Sequence, residues 1–140
     1  MLDTINQKII EILKQDARIS YAELGKQVHL SAPAVTERIK RLEADGVIKG
    51  YRADIDLDKV GLPIIAHIQA RVFLGKEPYF IELVKKQEHI IACSNVTGEK
   101  AFLLKAAVPN MKVLDQLLEV LSKAAETNSM IELSSIEMKD

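Results

Sequence analysis

The hydrophobic period of this chain changes once, and that change limits its fold more than any other feature. Up to about residue 44 the apolar residues recur at helical spacing; from Leu62 they alternate. A period near 3.6 places side chains along one stripe of a helix, whereas a period of two places them on one face of a strand. The chain therefore divides into a helical half and a half built on a sheet. Its 140 residues suffice for one ordinary domain or two small ones with a real core.

In the first half, Ile5, Ile9, Ile12 and Leu13 lie on one stripe, which predicts a helix over Thr4–Lys14. Ser20-Tyr-Ala-Glu23 is a capping box, opening a short second helix expected to bury Ala22, Leu24 and Val28. His29-Leu30 must turn before Ser31, the next candidate cap. Pro33 falls in the first turn of a third helix, where its missing N–H costs nothing. Val35, Ile39 and Leu42 repeat along that helix, and Gly46 supplies a left-handed stop.

The second half reads β-α-β-β-α-β. Leu62–Leu74 alternates apolar residues on even positions with His67, Gln69 and Arg71 on odd ones, which predicts a long strand. A helix over Pro78–Glu88 is expected to bury Phe80, Leu83 and Val84. Ile90–Val96 and Ala101–Val108 are apolar and β-rich, and Thr97-Gly98-Glu99-Lys100 separates them. Met111, Leu114, Leu117, Leu118 and Leu121 mark a second helix; Met130–Met138 reads as a last strand with a slip near Ser134-Ser135. That order is the split βαβ, ferredoxin-like arrangement, an antiparallel sheet with both helices on one face. The fold class is α+β. The expected boundaries are a helix-turn-helix domain at 1–50, a linker strand at 51–61 and a ferredoxin-like domain at 62–140. One helical layer leaves the other sheet face, with Ile65, His67, Gln69, Arg71 and Phe73, open to a partner sheet, which predicts a homodimer.

Composition excludes several classes. With 48% hydrophobic residues and a net charge of −1, the chain is not disordered. The longest apolar stretch, Gly61–Ala66, is far below the roughly 20 residues of a spanning helix. Asp3, Asn6 and Gln7 interrupt any signal segment, so a soluble, cytoplasmic protein is expected. The charge is uneven: residues 1–52 carry nine Lys/Arg and seven Asp/Glu, a net +2, and the other 88 carry ten and thirteen, a net −3.

The most specific signal is Tyr21 to Glu43: a capped short helix, a tight turn and a second capped helix with a cationic edge. This is a helix-turn-helix arrangement. If the third helix docks Val35, Ile39 and Leu42 on the first two, its first turn is free for a major groove. Ser31, Ala32, Pro33 and Ala34 are small enough for close approach, and Thr36, Glu37, Arg38 and Arg41 are within reach of bases or phosphates. On this reading Ser31–Arg38 supply the base readout, and Lys40, Arg41, Lys49 and Arg52 hold phosphates. The spacing alone also fits a plain three-helix bundle with a solvated cationic edge.

Leu2-Asp3, Asp16-Ala17-Arg18, Glu23-Leu24-Gly25, the run Ser31–Glu43, Gly46-Val-Ile48 and Gly61-Leu62 carry a resemblance. The whole chain resembles the Lrp/AsnC (leucine-responsive regulatory protein) family of bacterial and archaeal transcription regulators. The resemblance implies a winged helix-turn-helix and an α/β sandwich that dimerises and binds a small effector, usually an amino acid. It further implies dimers assembled into an octamer that wraps double-stranded DNA, on pseudo-palindromic sites; a nucleoid-associated place in the cytoplasm and no cofactor are expected. Two-fold symmetry would set the recognition helices about one helical turn apart.

By the same resemblance, Val96, Thr97, Gly98, Glu99, Lys100 and Ala101 form the effector hairpin. The family's form resembles Gly-x-x-Asp, whose acid pairs with an α-amino group. Here that position holds Ala101, and the nearest acid, Glu99, sits on another phase of the strand. Another ligand, a different mode of amino-acid binding and no response at all therefore stay open. The last would make the protein an architectural DNA-wrapping protein.

Other chemistry finds little support. His89 and Cys93 are four apart but straddle a helix end and a strand, and no third ligand gathers near them. Cys93 has no resolving partner and reads as a buried structural thiol. Asp54, Asp56 and Asp58 alternate along an expected edge and read as solvated. No nucleophile–base pair, phosphate loop or paired carboxylate motif is present, so no enzyme is expected.

Overall fold

Three helices form in the first half, and each begins on a side chain that accepts a backbone N–H. Asp3 caps α1 (Thr4–Gln15) through Asn6 N–H at 2.7 Å, and Ser20 caps α2 (Tyr21–Val28) through Glu23 N–H at 3.1 Å. Ser31 caps α3 (Ala32–Ala44) through Ala34 N–H at 3.3 Å. These oxygens satisfy donors that a helix start otherwise leaves unpaired. The computed structural model describes residues 2–139; one unit holds residues 2–54 together with 138–139, and a second spans Ile55–Glu137.

Ile9, Leu13, Leu24, Val28, Val35, Ile39 and Leu42 form the buried core of the first unit. Ala22 is exposed, contrary to the sequence expectation, and Gly25 is buried instead. Ala22 lies two residues from Leu24, roughly 200° round the helix, so both cannot face one core. Gly25 has a further duty. The chain folds back over it: His29 takes a left-handed conformation (φ 59°), and Leu30 N–H bonds to Gly25 O at 2.9 Å. A Cβ on Gly25 would overlap the Leu30 carbonyl oxygen. The tight turn between α2 and α3 thus depends on a missing methyl group.

Gly46 (φ 75°) ends α3, and the N–H groups of Val47 and Ile48 return to Leu42 O. The linker strand expected over 51–61 does not form. Residues 51–56 run exposed with no paired strand, and Asp58–Val60 make a 3-10 turn. A strand needs a partner for its backbone, and none is paired to this stretch among the described residues. Asp56 Oδ1 instead accepts the N–H groups of Asp58 and Lys59.

The second unit holds β1 (Ile64–Val72), α4 (Glu77–Lys85), β2 (Ile90–Asn95), β3 (Phe102–Val108), α5 (Met111–Leu121) and β4 (Ala125–Ile131). Its sheet order is β2-β3-β1-β4, antiparallel throughout, as the ferredoxin-like reading requires. Ala66, Ile68, Ala70, Leu104, Ala106 and Val108 join Phe80, Leu114, Leu117 and Leu121 in one core between sheet and helices. The rings of Phe80 and Phe102 meet at 5.1 Å between centroids. Leu83 is only half-buried, and α4 stops three residues short of the expected Glu88.

Two expectations fail here. The last strand is Ala125–Ile131 rather than 130–138; residues 132–139 carry no strand. Thr127 and Ser129 occupy helix-side positions opposite Ala70 and Ile68, so this edge strand has no apolar alternation to betray it. Cys93 is exposed rather than buried, because β2 is the sheet's other edge and is open beyond Ile90.

We expect Gly25→Ala to cost about 1–3 kcal/mol through overpacking. His29→Gly should stabilise by about 1 kcal/mol by removing left-handed strain. Urea melts followed by helical circular dichroism check both, with Gly50→Ala in open space as the reference. A Gly25→Ala midpoint equal to that of Gly50→Ala would remove the claim about the turn.

Candidate nucleic-acid interface and effector hairpin

Burial of Val35, Ile39 and Leu42 fixes which side of α3 faces outward. At roughly 100° per residue, the side opposite that stripe carries Pro33, Glu37, Lys40, Arg41 and Ala44, all of them exposed. Ser31 is exposed at the cap, and Ala32 and Ala34 are half-buried beside it. Two predicted contact residues lie elsewhere. The Thr36 hydroxyl donates to Ala32 O at 2.8 Å, back along its own helix. Arg38 lies on the flank toward α1, where Nη1 donates to Asp3 Oδ2 at 2.8 Å and to Asn6 Oδ1 at 3.1 Å. Its guanidinium is not turned outward, and a base-reading role for it has lost its simplest geometry.

Lys49 and Arg52 follow α3 and share a groove of about 480 Å³ with Lys14 and Tyr51. Ile10, Leu13, Val47 and Ile48 give that groove apolar walls. Burial pushes the Tyr51 phenol above its ordinary range, and the charge of Glu43 and the neighbouring Tyr21 add to it. Among the described residues Lys40, Arg41, Lys49 and Arg52 make no ion pair. They remain available to an anion. Sequence reasoning missed Lys14, and it missed Asp3 and Asn6 as partners of Arg38.

In the second unit, residues 96–101 join β2 to β3 as a hairpin end. Val96 N–H donates to Ala101 O at 2.7 Å, and Gly98 takes φ 109°. Thr97, Gly98, Glu99 and Lys100 are exposed, while Val96 and Ala101 are half-buried. The last pair between β1 and β3 is Ala70 with Phe102. One residue beyond it, Arg71 pairs with Glu126 across β1 and β4. The hydrogen bond from Arg71, then its charge, holds Glu126 below the ordinary carboxylate range, and Lys100 contributes. Glu126 correspondingly raises Arg71, with a smaller contribution from Glu99. An acid and a base from neighbouring strands thus stand beside the hairpin, a feature that spacing along the sequence does not reveal.

The open sheet face carries further polar pairs, Gln69 with Asn128 at 3.4 Å and His67 with Glu132 at 3.1 Å. Exposed Leu103, Met130 and Phe73 stand near them on β3, β4 and the end of β1. Among the described residues no group of three or more His, Cys, Asp or Glu is gathered to hold a metal. No described helix is long and apolar enough to cross a membrane.

A capped helix-turn-helix with free cations outward, together with a split βαβ sheet unit on the same chain, defines a DNA-binding regulator with an appended sensing domain. Comparison with known proteins agrees. Residues 2–49 match the winged helix-turn-helix DNA-binding model, and residues 68–139 match the Lrp/AsnC ligand binding domain. The HTH-type transcriptional regulator LrpC of Bacillus subtilis is 33% identical over 99% of this chain and 96% of its own length. Its solved structure superposes with a TM-score of 0.94, covering 99% of both chains. The leucine-responsive regulatory protein of Escherichia coli is 35% identical over 84% of this chain and 73% of its own. A Neisseria meningitidis transcriptional regulator, solved as an L-Met complex, matches at 29% identity and TM-score 0.87 over 99% of this chain and 94% of that one. The chain belongs to the Lrp/AsnC family of helix-turn-helix transcriptional regulators, and its work is DNA binding rather than catalysis.

The Asn6 N–H and then the Arg38 guanidinium hold the Asp3 carboxyl below the ordinary Asp range. A lowered native pKa stabilises the fold above the unfolded value, near pH 4 for Asp, and the benefit is lost as pH falls through the native value. Wild type should therefore exceed Asp3→Asn in thermal stability at pH 6 and converge with it near pH 2. A constant gap across that range would contradict the pairing.

Proposed function

We propose that this regulator reads DNA with the outward face of α3 and is tuned by an amino acid held at the hairpin of the second unit. The observation that carries the first part is the angular position of Glu37, Lys40 and Arg41 opposite the buried stripe of α3. Ser31, Ala32, Pro33 and Ala34 leave the helix start slim enough to approach base edges, and the positive end of the helix dipole favours a phosphate oxygen. Glu37 is suited to accept from a cytosine amino group, whereas Lys40, Arg41, Lys49 and Arg52 are suited to phosphates. Thr36 contributes through helix geometry rather than by direct contact.

The effector reading rests on the hairpin closed by Val96 and Ala101 and on the Arg71–Glu126 pair beside it. An amino acid carries both charges. Exposed N–H groups around Thr97, Gly98, Glu99 and Lys100, together with Arg71, suit its carboxylate; Glu126 offers the acid that Ala101 does not. The L-Met complex of the Neisseria relative makes methionine the first candidate. The half-polar open sheet face, with Leu103 and Met130 exposed on it, suits a second copy of itself and makes a homodimer the working unit. Dimers would then place two α3 helices on a pseudo-palindrome, and assembly to an octamer would wrap the DNA on the nucleoid in the cytoplasm.

Fluorescence anisotropy on fragments of the source genome, across a salt series and with each amino acid added, tests this. We expect tight binding, a steep salt slope, a slope about 0.9 shallower for Lys40→Ala or Arg41→Ala, and a shift with at least one amino acid. Binding indifferent to all twenty would leave an architectural DNA-wrapping protein. No binding at low salt would end the α3 reading. For the dimer, Leu103→Glu should lower the mass seen in sedimentation; an unchanged mass would move the interface elsewhere.

A further inference from the structure

We propose that Arg38 is a positioning residue that sets the rotation of α3 by clasping the first turn of α1, and that it does not itself contact DNA. The inference rests on α3 being the DNA-reading helix. Its warrant is the use made of one carboxylate. Asp3 Oδ1 caps α1 through Asn6 N–H at 2.7 Å, while Oδ2 accepts Arg38 Nη1 at 2.8 Å. The same Nη1 reaches Asn6 Oδ1 at 3.1 Å. Three groups from two helices, 35 and 32 residues apart in the chain, meet in one network.

Apolar packing is non-directional. Val35, Ile39 and Leu42 hold α3 against its neighbours, yet small rotations about the helix axis change their burial little. Charge-assisted hydrogen bonds are directional and shorter-ranged. Two of them on the flank of α3, one turn past Ala34, resist that rotation and so fix which atoms Glu37, Lys40 and Arg41 present. The electrostatics point the same way. If Arg38 swung out to a phosphate, the Asp3 carboxylate would be left unpaired near a polyanion. With the clasp closed, the pair is neutral.

The test is a double-mutant cycle in the full chain, read by anisotropy on the tightest genomic fragment and on a random-sequence duplex. Asp3→Asn is the gentler partner, since Asn caps a helix as well as Asp does. We expect Arg38→Ala and Asp3→Asn each to weaken the chosen fragment about tenfold, with random-duplex binding and salt slope unchanged. The double variant should be no worse than either single one. Arg38→Lys, which keeps the contact to Asp3, should restore much of the preference.

A salt slope about 0.9 shallower in Arg38→Ala, or tighter binding by Asp3→Asn as its freed arginine finds a phosphate, would overturn the proposal. So would additive losses, equal losses on both duplexes tracking the unfolded fraction, or no change at all. Failure of the unaltered protein to bind either duplex would instead remove the DNA-reading role of α3 and this inference with it.

Discussion

Everything the first unit does depends on one docking event, the burial of Val35, Ile39 and Leu42 of α3 in the core. Three side chains on one stripe decide which side of that helix faces outward, to within a small rotation. They turn Glu37, Lys40 and Arg41 to solvent and leave Arg38 on the flank within reach of Asp3. The docking is possible only because the chain can reverse sharply between α2 and α3. That reversal uses a left-handed His29 and a glycine at 25, where a methyl group would strike the Leu30 carbonyl. A backbone permission upstream thus sets the chemistry presented downstream.

The second unit obeys a different constraint. Its sheet has one covered face and one open face, and the period of two assigns each residue to one of them. Ala66, Ile68 and Ala70 go to the helices; His67, Gln69 and Arg71 go to the open side, where they pair with Glu132, Asn128 and Glu126. The pairing of β1 with both β3 and β4 brings Arg71, Glu126 and the hairpin to one end of the sheet. Charges distant in sequence become neighbours through register alone.

Legibility in the sequence followed the physical strength of each signal. The caps Ser20 and Ser31 and the stripes of α1, α3 and α5 are local, so spacing revealed them. The β4 strand was placed too late because backbone pairing and small residues hold it, and neither leaves a pattern. Cys93 looked buried because its neighbours are apolar, but edge position overrides composition. Arg38 was grouped with the contact residues by its charge; its angle of roughly 60° from Val35, three residues earlier, was the available signal that it lies on a flank. Its partners, Asp3 and Asn6, belong to another helix and were beyond any local reading.

The most direct test of sequence-specific reading by α3 is selection of bound duplexes from a random-sequence pool by the full chain, followed by sequencing. Enrichment of a pseudo-palindrome with half-sites about one helical turn, or a multiple of it, apart is the expected result. Duplexes retained without any enriched motif would contradict it, since the protein would then hold the backbone and read no bases.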